Sequence, residues 1–89
     1  MLKPKDLLMS TTLTKSINDL EIGQLAIIKY SSNVSLNELG FLSDEHVKVI
    51  ARAAFNGPTA VRVGTSVFAL RKEEAETIRV YNVLHDKRS

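Results

Sequence analysis

Apolar and polar positions alternate most regularly between residues 46 and 71, HVKVIARAAFNGPTAVRVGTSVFALR. Val47, Val49 and Ala51 alternate with Lys48, Ile50 and Arg52, and Val61 and Val63 flank Arg62. Successive side chains of a strand point to opposite faces, so each of these runs predicts one apolar and one partly polar face. The third run, Val67-Phe68-Ala69-Leu70, is apolar throughout and predicts a strand covered on both faces. Asn56-Gly57-Pro58 and Gly64-Thr65-Ser66 separate the runs. Asn and Gly accept a positive φ at small steric cost, which lets a strand reverse. The pattern predicts an antiparallel meander over residues 46–53, 59–63 and 66–71, which the rest of the chain closes or covers.

Upstream, QLAIIKY (residues 24–30) is apolar on both faces in its middle and predicts a further buried strand. Before it, Ser16 is placed to cap a single helical turn, with Asp19 as its capping-box partner. Ile17, Leu20 and Ile22 are expected to point inward. Ser35-Leu36-Asn37-Glu38 matches the S-x-x-E capping box and predicts a helix of barely two turns over residues 35–40. Ser35 is its expected cap and Gly40 its left-handed stop, and Leu36 and Leu39 share a face. Phe41 and Leu42 then fold back onto the core. Downstream, RKEEAE (residues 71–76) predicts a short helical turn and TIRVY (residues 77–81) a last strand with Ile78 and Val80 inward.

These elements make an all-β domain over residues 16–81, with one or two short helices. Small all-β domains hide their edges by closing, so a five-stranded SH3-like barrel is expected. An OB-type barrel, with the helix at residues 35–40 as its inserted element, is the alternative. Residues 82–89 are expected to form a charged, solvated tail. Residues 1–15 are expected to be an extension with two readings. It is a frayed terminus, or an arm whose Leu2, Leu7, Leu8, Met9 and Leu13 pack on the domain or on a second copy.

Composition narrows the function more than the fold. The chain has 89 residues and no cysteine, so disulfides, thiolate metal sites and thiol nucleophiles are excluded. A single domain of this size rests on strand pairing and a dense aliphatic core. Twelve basic and ten acidic side chains give a net charge of +2, too even and too scattered for a nucleic-acid footprint. No apolar run approaches the ~20 residues of a membrane helix, and Leu7-Leu8-Met9 is too short for a signal-peptide core. A cytoplasmic protein is expected. The glycines are isolated, so no phosphate-cradling loop exists, and His46 and His85 fall in different elements. No catalytic constellation and no cofactor is expected.

Three features remain. Asp44-Glu45-His46 is the nearest approach to a metal cluster, but alternation leaves at most Asp44 and His46 to share an ion, too few for a site without further ligands. The plain reading is a solvated turn. Arg71 ends one strand and precedes Glu74 by three positions; it is a local ion pair or a cation offered to a partner. Phe55 sits beside the Asn56-Gly57 turn, where a large apolar side chain is available for recognition.

Taken together, Asp19-Leu20, Gly23-Gln24, Ala26-Ile27-Ile28, Leu36, Glu38-Leu39-Gly40-Phe41, Val47, Val49, residues 57–58 and 60–64, Phe68-Ala69-Leu70-Arg71, Glu74-Ala75, Ile78 and Val80 resemble the FeoA family. These are small SH3-like accessory proteins of bacterial ferrous iron transport, and similar domains end metal-dependent repressors. With no DNA-binding helical domain ahead of it, a stand-alone protein is expected. Asn33, Ser35 and Asn37 stand where family members often carry arginines. Ser43-Asp44 replaces a Pro-Gly turn, and Asp tolerates the left-handed backbone it needs. The resemblance implies a cytoplasmic adaptor that binds the cytosolic part of the permease FeoB through protein–protein contacts and meets the membrane only through it. Leu36, Glu38, Leu39, Phe41, Phe55 and Arg71 are the expected contact residues. The alternatives are a metal sensor or carrier using Asp44, His46 and His85, and a nucleic-acid-binding barrel. Homo-oligomerisation through the N-terminal arm is compatible with the adaptor.

Overall fold

In the computed structural model, which describes residues 14–85, regular structure begins with the two-residue strand β1 (Lys15–Ser16) and a 3-10 turn (Ile17–Asp19). The turn forms as its capping box dictates. Ser16 Oγ accepts from Asn18 N–H at 3.1 Å, and the Asp19 carboxylate accepts from Ser16 N–H at 3.1 Å. Then follow β2 (Gln24–Ser31), α1 (Val34–Leu39), β3 (His46–Arg52), β4 (Thr59–Val63), β5 (Ser66–Leu70), α2 (Lys72–Glu76) and β6 (Ile78–His85). The six strands form one antiparallel sheet in the order β1-β6-β2-β3-β4-β5. The added sixth strand is the short β1, paired with Val80 and Arg79 of β6. The all-β, SH3-like expectation holds with that addition. β6 runs on through residues 82–85, which charge had assigned to a solvated tail. Residues 1–13 and 86–89, the bulk of the expected arm and the end of the tail, lie outside the described residues.

The core is the inner face of this bent sheet. Ile28, Val47, Val49, Val61, Ile78 and Val80 are fully buried around Phe41, and Phe68 packs on Phe41 with ring centroids 5.0 Å apart. Bulges bend the strands around it. In the β2–β6 ladder, one extra residue falls on β6 between Tyr81 and Leu84, and another on β2 between Ile28 and Tyr30. Asn82, in the first, takes φ 53, a left-handed conformation Asn tolerates well.

A third bulge changes the reading of the meander. The β3–β4 register shifts between Val49 and Ala51. The extra residue, Ile50, reverses which side chains face inward. Ala51, expected in the core, is exposed, and Arg52, expected outside with Lys48, pairs with the buried Thr59. Its guanidinium donates to Leu20 O at 2.7 Å, Ile17 O at 3.3 Å and Thr59 Oγ1 at 3.2 Å. One side chain thus ties the 3-10 turn to the β3–β4 hairpin across the open end of the barrel.

Other local expectations shift for similar reasons. α1 is capped by Asn33, whose Oδ1 accepts from Leu36 N–H at 3.2 Å, so the helix starts two residues earlier than a Ser35 cap would have it. Glu38 then lies too far along to close a capping box. Gly40 ends the helix at φ 117, and Asp44 takes φ 72, as the sequence required. Ile22 and Leu42, both expected to turn inward, are half exposed. Val67 and Ala69, expected under cover, are exposed, because no described element packs on the outer face of β5.

Arg52→Ala is expected to lower stability by about 1–2 kcal/mol, since the charged donors to the Leu20 and Ile17 carbonyls and to Thr59 are lost. Arg52→Lys should recover only part of it, because one ammonium cannot span three acceptors. Chemical denaturation of the full chain checks both; a wild-type midpoint for Arg52→Ala would refute the tie.

Candidate functional site

The β3–β4 turn carries the sharpest departure from ordinary geometry. Gly57 N–H donates to Ala54 O at 3.1 Å, closing a turn whose central residues are Phe55, φ 60, and Asn56, φ 62. A tight hairpin turn with positive φ at both central positions suits Asn and Gly. The sequence predicts that Asn56 and Gly57 take those positions, but the turn sits one residue earlier. Gly57 serves a different need: a Cβ there would meet Ala53 Cβ at 2.7 Å. The left-handed conformation therefore falls on a phenylalanine, for which it is costly. The ring gains nothing from the fold in exchange, being 101% exposed.

Beneath this turn lies an open groove of about 250 Å³ lined by Asn18, Arg52, Asn56, Gly57, Thr59 and Lys72, among others. Pairing of Thr59 with Leu70 brings the end of β5, and with it Arg71 and Lys72, to this end of the barrel. Asn18 secures α2 from the other side, donating to Lys72 O and Glu76 Oε1, both at 3.0 Å. The expected Arg71–Glu74 ion pair takes another form: the Glu74 carboxylate accepts from Arg71 N–H at 2.8 Å, which stops the strand and starts the helix. Arg71 is exposed. The end of the barrel thus presents the exposed Phe55 ring, the cations Arg52 and Lys72 in the groove lining, exposed Arg71 next to Lys72 in sequence, and the Glu76 carboxylate held by Asn18.

The other expected contact residues are elsewhere. Leu36 and Phe41 are 3% and 0% exposed, so they hold α1 on the core and have no surface to offer. Glu38 and Leu39 are exposed, with Val34, Leu42 and Tyr30 as exposed apolar neighbours in sequence. They precede β3, whereas Phe55 follows it, and β3 is a seven-residue strand about 20 Å long. One contact surface becomes two, at opposite ends of β3. Asp44 and His46 are both exposed, and among the described residues no group of three His, Cys, Asp or Glu side chains is placed to hold a metal ion. No helix of the described residues is long and apolar enough to cross a membrane.

The FeoA domain family model matches residues 15–82, spanning both ends of the barrel. The chain belongs to the FeoA family of ferrous iron transport accessory proteins. FeoA from Stenotrophomonas maltophilia, solved with zinc and described as an SH3 domain protein, is 29% identical with a TM-score of 0.67, over 74% of this chain and 88% of that one. Iron(II) transport protein A from Clostridium thermocellum is 27% identical with a TM-score of 0.68, over 73% of this chain and 43% of that one. At 20% identity, a FeoA-like protein from Clostridium acetobutylicum shares the fold, with a TM-score of 0.75 over 89% and 98% of the two chains. A manganese-dependent transcriptional repressor contains the same fold in 38% of its length, at 20% identity and a TM-score of 0.73 over 83% of this chain. No curated protein matches the chain.

Relative to this FeoA-type fold, the sequence reading missed Arg52, Lys72 and Asn18, which line one groove because the Ile50 bulge sets Arg52 on the Thr59 side of the hairpin. The doubled apolar pair Ile50-Ala51 was its only trace in the sequence. Phe55→Asn is expected to stabilise the chain by about 1 kcal/mol, because Asn accepts the left-handed backbone and no ring packing is lost. A raised thermal midpoint checks it; a lowered one would mean the ring is packed after all.

Proposed function

We propose that this chain is a cytoplasmic, non-catalytic adaptor that binds the cytosolic part of a FeoB-type ferrous iron permease through the Phe55 end of its barrel. The observation that carries this choice of surface is Phe55 itself, strained in backbone and wholly exposed in side chain. Strain that brings the fold nothing is retained where the side chain serves a contact. An aromatic anchor beside cations is the composition of an interface centre, with Phe55 as the apolar knob and Arg71 and Lys72 as the charged surround. The matching surface on the permease is an apolar cleft rimmed by acidic side chains. Family membership supports ferrous iron transport as the setting, and the sequence brings no nucleophile, base or cofactor motif that would support catalysis. Glu38 and Leu39, at the far end, form a second candidate contact that the same experiment separates.

Titration of the full chain against the soluble G-protein domain of FeoB, and against the whole permease in detergent, tests the proposal. Saturable binding is expected, weakened at least tenfold by Phe55→Ala and several-fold by Lys72→Glu, with steep loss at raised salt. Leu39→Ala should leave it unchanged. Absence of binding to either form of FeoB would refute the adaptor role. Binding lost in Leu39→Ala but kept in Phe55→Ala would move the contact to the α1 end.

A further inference from the structure

The sheet ends in an edge that lacks the usual protections. β5 is the last strand, and its register with β4 runs without a shift from Val63–Ser66 to Thr59–Leu70. It holds no proline, no charged side chain and no bulge, the devices by which edges avoid pairing. The opposite edge is protected: β1 is two residues long, and the β6 strand behind it is kinked at Asn82.

The hydrogen-bonding parity of β5 follows from its turn. Val63 and Ser66 flank a two-residue loop with Gly64 at φ 62 and so form a hydrogen-bonded pair. Alternation makes Val61–Phe68 and Thr59–Leu70 the next such pairs, so the main-chain N–H and C=O of Val67 and Ala69 point away from β4. Among the described residues, no other strand takes them up.

We infer that β5 is a self-association edge, and that its occupant is β5 of a second copy of this chain, antiparallel about a twofold axis at Phe68. Val67 and Ala69 lie symmetrically about Phe68, so that axis sets each Val67 opposite the partner copy's Ala69 in a hydrogen-bonded pair. Four main-chain bonds form, and no outward donor or acceptor of either residue is left over. The two Phe68 residues then face each other as a close, non-hydrogen-bonded pair. Phe68 is only partly buried against the core, and the second ring covers the remainder. Electrostatics permits the approach: the seam is neutral, and the nearest like charges on the ladder, Arg62 of each β4, stay three strand spacings apart, about 14 Å and beyond the screening length. A peptide from another protein would use the same main-chain groups but would not need this symmetry or cover Phe68. The seam is short, so the dimer is weak, with a dissociation constant on the order of 100 μM.

Sedimentation equilibrium of the full chain from 10 μM to about 1 mM, with amide hydrogen exchange along the series, is the test. The expected result is a monomer–dimer equilibrium in which the Val67 and Ala69 amides gain protection with concentration. Val67→Lys places two lysines in the seam without disturbing a buried group, and Ala69→Pro removes only an outward N–H; each should weaken dimerisation at least tenfold. A chain that stays monomeric to 1 mM overturns the inference. So does a dimer unaffected by both substitutions, which would place the interface elsewhere. Protection of Val67 and Ala69 at every concentration overturns it as well, because the edge would then be paired within one chain.

Discussion

Most of what distinguishes this barrel follows from the reversal of side-chain parity at Ile50. Before it, β3 places Val47 and Val49 in the core; after it, Ala51 is exposed, and Arg52, itself exposed, lies opposite the buried Thr59. A strand of unbroken alternation would turn Arg52 to the other face of the sheet and leave the carbonyls of Ile17 and Leu20 without it. The bulge instead brings a guanidinium to the mouth of the barrel, where five donors in a rigid fork can serve acceptors from two separate elements. The N-terminal turn and the β3–β4 hairpin are joined by that one group.

The same logic of local irregularity runs through the rest of the fold. β2 pairs with both β3 and β6, and it can do so because the extra residue near Lys29 bends it. Ser43 fixes the bend, donating to Lys29 O at 2.6 Å. The bent sheet wraps Phe41, the largest fully buried side chain, and leaves β5 as an open edge. Main-chain groups at that edge and the Phe55 turn are separate features, one neutral and ladder-like, one aromatic and basic. A family adaptor that used them independently would have two interfaces that need not compete.

Strain and charge at the Phe55 end also explain why the candidate surface has the form it does. The hairpin turn takes positive φ at two positions, which fall on Phe55 and Asn56, while Gly57 is needed where a Cβ would meet Ala53. Phe55 takes the cost, and its ring is left wholly exposed at the end of the barrel that carries Arg52 and Lys72. By contrast, the apolar groups near α1 sit on an unstrained helix, and Leu36 and Phe41 beneath them serve the core.

Much of this was legible in the residues. The period-two runs, the Gly64 turn, the Ser16–Asp19 capping box, the Gly40 stop and the left-handed Asp44 are local matters, decided by a few neighbouring atoms. Local sterics and hydrogen bonds therefore determined that the chain would be an all-β meander with a short inserted helix, and the ordered motifs pointed to its family. What only the tertiary structure decided is everything that depends on parity and distance. A bulge is one residue of difference that no periodicity announces, yet it left Ala51 outside the core and set Arg52 opposite Thr59 at the mouth of the barrel. Burial of Leu36, exposure of Leu42 and Val67, the meeting of Arg52, Lys72 and Asn18, and the separation of α1 from the Phe55 turn all arise from contacts between segments far apart in the chain. Side-chain pattern states which faces exist, and only closure of the sheet settles which of them meet.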